Sequence, residues 1–215
     1  MKTREEAAEI VRLLLEEYPE ADCTLDYGKD YELLFSVRLA AQCTDERVNR
    51  ITPALFARYP TLESFAEADL KDVEALVRPC GFYHSKARDI VACARTLLAR
   101  HGGKVPQTME ELTALPGVGR KTANLILGDV FHVPGSTVVD THCIRLTNRI
   151  GLVDGEKDPV KIESALRALL PPEHSNAFCH ALVLHGRAVC PARKPACDRC
   201  CLRQNCDSAE PAATP

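Results

Sequence analysis

Apolar residues recur at i, i+3 and i+4 along almost the whole of this chain, and proline or glycine stands at most of the places where the recurrence breaks. The helical runs are TREEAAEIVRLLLEEY, YELLFSVRLAAQCT, RVNRITPALFARY, SFAEADLKDVEALVR, SKARDIVACARTLLARHG and TMEELTAL. The breaks fall at Pro19, Pro60, Pro79 with Gly81, Gly102 with Gly103, Pro116, Pro134 with Gly135, and Pro171 with Pro172. The one strand-like run, STVVD, is too short to anchor a sheet. An all-α fold is expected.

The chain has 215 residues, enough to bury a real core, and its 46% hydrophobic and 27% charged content suits a soluble globular protein. No apolar stretch approaches a membrane span, and the acidic amphipathic start is not a targeting peptide, so the expected address is the cytoplasm with no membrane partner. Eleven cysteines are an odd count that a reducing compartment would not keep bridged, so some need another use. The net charge of −3 conceals an uneven distribution: residues 1–30 carry four Lys/Arg against nine Asp/Glu, and residues 187–206 five against one.

In LPGVGRKT, from Leu115, two glycines in a tight connection lead into a helix that starts near Arg120. Glycines let a ligand approach the backbone, and a helix N-terminus presents N–H groups, which together suit a phosphate; a plain αα-hairpin is the alternative. Lys121 stands in the first turn, where the positive end of the helix dipole favours a neutral, nucleophilic amine. A solvated surface lysine or a phosphate contact fits the same position.

CPARKPACDRCCLRQNC spaces Cys190, Cys197, Cys200 and Cys206 as C-x6-C-x2-C-x5-C, four thiols able to converge on one metal centre. Zinc sites usually pair two C-x2-C knuckles, and this compact run has only one, which favours an iron–sulfur cluster. Cys201 adjoins Cys200 and competes as the third ligand.

Together these residues resemble the endonuclease III family of base-excision DNA glycosylases with lyase activity. LPGVGRKTAN is similar to its helix-hairpin-helix with the catalytic lysine, VVDTH to its catalytic-aspartate segment, and the four-cysteine run to its [4Fe-4S] loop. The resemblance covers nearly the whole chain. It implies a two-domain helix-hairpin-helix glycosylase fold with a cleft between the domains: a six-helix domain over 23–132, a discontinuous iron–sulfur domain over 1–22 and 133–207, and a disordered tail at 208–215. Positive residues would line one face, with the acidic N-terminal helix turned away.

The resemblance further implies a monomer that acts on damaged double-stranded DNA and removes oxidised pyrimidines. Lys121 would displace the base through a Schiff base and nick 3′ to the abasic site by β-elimination, with Asp140 stabilising positive charge on the sugar. Asp140 is equally a good helix N-cap. Leu115, Gly117, Val118 and Gly119 would contact DNA. Gln42 matches the family's gap-filling glutamine, and Phe82 stands where the family usually has a leucine wedge. A polar helix-end residue and a core aromatic are the plainer readings of these two. The related adenine-mismatch glycosylases typically lack a lysine at the position of Lys121.

Overall fold

The computed structural model describes residues 2–209, and every regular element among them is helical. Helix α1 (Arg4–Glu17) is followed by α2 (Asp30–Ala40), α3 (Asp45–Arg58), α4 (Leu62–Ala66), α5 (Leu70–Val77), α6 (Tyr83–His101), α7 (Met109–Thr113) and α8 (Arg120–Asp129). The order closes with α9 (Thr141–Ile150), α10 (Pro159–Leu169) and α11 (Ser175–Ala188). The chain divides into two compact units: a continuous one, Cys23–Phe131, and an outer one made of the segments on either side of it. His132 falls in the outer unit, one residue earlier than the expected boundary. Most of the expected disordered tail lies outside the described residues. Its first two residues are held, Ser208 N–H by the Arg149 carbonyl at 3.1 Å and Ala209 N–H by that of Cys206 at 3.3 Å.

The continuous unit contains α2 to α8, seven α-helices among the described residues where six are expected; two of them, α4 and α7, have only five residues. The extra element arises where SFAEADLKDVEALVR reads as a single helix. Asp69 interrupts it, because its carboxylate accepts the N–H groups of Lys71 (2.8 Å) and Asp72 (3.1 Å) and so starts α5 afresh. Likewise α2 stops at Ala40 rather than running through Thr44, whose hydroxyl caps α3 instead. The core of this unit centres on Phe65, whose ring meets Phe35 at 5.0 Å and Tyr59 at 5.3 Å between centroids. Both phenylalanines are sealed from solvent, and truncating either to alanine costs about 3–5 kcal/mol.

In the outer unit α1 and α9 pack against α11. Thr3 opens α1 with a reciprocal cap to Glu6, and Ile10, Val11 and Leu14 supply its buried stripe. The STVVD segment forms no strand. Ser136 to Val139 are buried as irregular chain that delivers Asp140 to the start of α9. Among the described residues, no helix is long and apolar enough to cross a membrane.

Candidate nucleic-acid interface and metal centre

In the continuous unit, α7 and α8 are joined by Leu115–Gly119, a tight turn closed by the bond from Val118 N–H to the Leu115 carbonyl at 3.2 Å. Two expectations change here. Leu115 is only 3% exposed and packs in the core, so its side chain is not available to DNA. The Val118 N–H is already spent on the turn. The donors lie one step later: the first intrahelical bond of α8 runs from Ala123 N–H to the Gly119 carbonyl at 2.9 Å. The N–H groups of the preceding turn, Lys121 and Thr122 among them, therefore have no carbonyl to take inside the helix.

The two glycines serve different purposes. Gly117 has φ +76, and a Cβ there would come within 2.8 Å of the Asp89 Cβ and 3.0 Å of the Arg38 side chain. Gly119 has φ −99, open to any residue, and a Cβ on it would meet nothing within 4 Å. It is the N-cap of α8, with Lys121 exposed two residues further on.

Gln42 and Phe82 lie in the same unit, each exposed and each on left-handed backbone, at φ 56 and 46. At 68% exposure Phe82 is not a core aromatic.

In the outer unit Asp140 is the N-cap of α9. Its Oδ1 accepts the Cys143 N–H at 2.8 Å, and the carboxylate is half-buried. Cys190, Cys197, Cys200 and Cys206 line one cavity of about 90 Å³, together with Arg149 and Arg203; Cys201 is not among the lining residues. Burial is the main cause that raises the Cys200 thiol, and the sulfurs of Cys206, Cys190 and Cys197 add like-charge repulsion. Such mutual repulsion in a half-buried site is the setting that a cationic centre relieves. Burial pushes Cys201 up to about 11, as for a structural thiol.

Three neighbours of the cysteines have no local signal in the sequence. Arg149 donates to Cys190 Sγ (3.2 Å) and to the carbonyls of Pro191 and Ala192 (2.8 Å each). Arg145 reaches the Cys190 carbonyl at 3.0 Å. His185 sits with Nε2 3.3 Å from Cys200 Sγ and Nδ1 3.1 Å from the Tyr18 hydroxyl. Each joins positions tens of residues apart.

A glycine-floored hairpin followed by a helix, on an all-helical scaffold with a four-cysteine cavity, defines a helix-hairpin-helix protein with a cysteine-rich region consistent with a metal cluster. A family model described as "HhH-GPD superfamily base excision DNA repair protein" matches residues 35–172. Endonuclease III of Synechocystis sp. is 46% identical over 96% of this chain and 94% of its own length; that of Escherichia coli is 39% identical over 94% and 95%. Among solved structures, a trapped endonuclease III–DNA covalent intermediate superposes with a TM-score of 0.90 at 34% identity, covering 97% of this chain and 98% of the other. The chain belongs to the HhH-GPD superfamily and, within it, to the endonuclease III family. Its function is base-excision DNA repair, as a DNA glycosylase with abasic-site lyase activity.

Proposed function

We propose that the chain acts as a cytoplasmic monomer on duplex DNA that contains oxidised pyrimidines, with Lys121 as nucleophile and Asp140 as the group that manages charge and protons. What carries this reading is the placing of Lys121: exposed, second in α8, and two residues after Gly119, which leaves the approach to the helix N-terminus open. With the damaged nucleotide flipped out, Lys121 Nζ attacks the anomeric carbon and the glycosidic bond breaks, its electron pair leaving with the base. The nitrogen lone pair then opens the sugar ring at C1′–O4′, O4′ taking a proton, and the imine so formed acidifies the adjacent sugar proton, whose loss expels the 3′ phosphate by β-elimination. Asp140 stabilises positive charge on the sugar and takes the proton that the amine sheds. Gly117, Gly119 and the N–H groups that open α8 seat the phosphate backbone, and Gln42 and Phe82 enter the gap left by the flipped nucleotide.

The cysteine cavity fits a [4Fe-4S] cluster held by Cys190, Cys197, Cys200 and Cys206. No three of their sulfurs lie within 4.8 Å of one another among the described residues, whereas tetrahedral zinc would hold them about 3.8 Å apart. When bound, such a cluster would cross-link the four cysteines and so organise the basic loop that carries them.

The test is borohydride trapping on duplex with one oxidised thymine, beside undamaged duplex. The parent should be locked covalently to damaged DNA and should nick it. Lys121→Gln should bind the lesion yet lose trapping and nicking together. Trapping of Lys121→Gln at the parental level would assign the nucleophile to another amine.

A further inference from the structure

Backbone in the left-handed region is unusual outside glycine and persists only where its surroundings over-determine it. In the continuous unit two exposed residues, Gln42 and Phe82, are held that way, and the same buried side chain reaches the segments before both. Lys86, in the first turn of α6, is 1% exposed, and its Nζ donates to the Leu39 carbonyl and to the Cys80 carbonyl at 2.8 Å each. Leu39 precedes Gln42 by three residues and Cys80 precedes Phe82 by two. The thiols of Cys43 and Cys80, one from each segment, lie near enough to act on one another and on Lys86.

Burial holds the Lys86 ammonium below its usual value, and the titratable groups that act on it are the two thiols and Arg38, with no carboxylate among them. An ammonium satisfied by neutral carbonyls alone carries a desolvation penalty that an apolar side chain of the same length would avoid. What it does that an apolar chain cannot is fix two carbonyls about one point.

We propose that Lys86 is a positioning residue that sets the separation of Gln42 and Phe82 and thereby governs recognition of the distorted duplex. The proposal rests on the reading that those two side chains enter the gap left by the flipped nucleotide. Lys86 itself is sealed from solvent and touches no DNA.

The experiment compares affinity for duplex carrying a non-cleavable tetrahydrofuran abasic site with affinity for undamaged duplex. A 2-aminopurine opposite the abasic site reports stacking at saturating protein, and melting is followed for each variant. Lys86→Met, which keeps length but cannot donate, should lose about tenfold in preference for the abasic site while binding undamaged duplex as the parent does. Its 2-aminopurine signal at saturation should differ from the parent's, a readout that loss of stability alone would not move. In a Gln42→Ala/Phe82→Ala background, Lys86→Met should cause no further loss of preference. An unchanged preference in Lys86→Met overturns the proposal, as does an equal further loss in the double-alanine background. Parental preference in Gln42→Ala/Phe82→Ala alone refutes the underlying reading, and the proposal with it, without Lys86 having been altered. If melting shows Lys86→Met to be unfolded, Lys86→Gln, polar but too short to span both carbonyls, carries the same test and the same outcomes.

Discussion

Arg38 grips a single oxygen of Asp89 twice, through Nε at 2.8 Å and Nη2 at 2.7 Å, and this pair forms the floor on which Gly117 rests. The two residues come from α2 and α6, so the hairpin before α8 is seated on an ion pair between helices distant in sequence. At Gly117, left-handed backbone and lack of room act together. Gly117→Ala is expected to lower stability by about 1–3 kcal/mol and to weaken binding to damaged and undamaged duplex alike. Chemical denaturation beside a binding isotherm checks this, and a variant as stable as the parent would show that the floor yields.

Gly119→Val provides the contrast. Its backbone and surroundings accept a side chain, so melting should stay near the parent's while affinity for both duplexes falls and remains steeply salt-dependent. A change in lesion preference at constant overall affinity would contradict the phosphate assignment.

Asp140 combines a cap that is visible in the fold with a chemical role that is proposed. Asp140→Asn keeps an oxygen for the Cys143 N–H and should melt like the parent, whereas Asp140→Ala should lose about 1 kcal/mol. Both should be slow in single-turnover base release. If Asp140→Asn released base at the parental rate, the residue would be a cap and nothing more.

The cavity separates the four cysteines that line it from Cys201, which does not. Protein purified anaerobically should be yellow-brown and carry about four irons per chain. Cys197→Ser should lose the colour and much stability, while Cys201→Ser should retain both, because only Cys197 lines the cavity. Stoichiometric zinc in place of iron, or equal losses in the two variants, would reject the assignment.

Arg149 binds Cys190 Sγ and the Pro191 carbonyl through Nη1 and the Ala192 carbonyl through Nη2, a spread over two nitrogens that a single ammonium lacks. Arg149→Lys is therefore expected to keep the charge but to release iron faster in air. Iron retention over time measures this, with parental retention as the contrary outcome.

Much of this could be read along the chain because it is local. Helical periodicity locates α1 to α7 in six runs, one of which hides two helices; the LPGVG turn and the Asp140 cap mark the starts of α8 and α9, the cysteine spacing needs only a few consecutive residues to be seen, and α10 and α11 lie outside all of these signals. Asp69 is the avoidable miss, since an aspartate before a helical run is a cap signal. The rest has no local trace. That Leu115 faces the core, that Val118 N–H closes the turn, that Arg38 finds Asp89 and that Lys86 reaches two carbonyls all depend on which helix faces which. Periodicity marks one face of a helix as apolar and does not name the neighbour that covers it.

The outer unit is assembled from both ends of the chain around a continuous middle, and this has a consequence for biosynthesis. The apolar stripe of α1 emerges from the ribosome more than 150 residues before α11, against which it packs. At about 5–20 residues per second that is a wait of roughly ten to thirty seconds, during which the continuous unit can already close its own core. The acidic face of α1, with Glu5, Glu6, Glu9, Glu16 and Glu17, helps to keep that waiting helix in water rather than against other nascent chains.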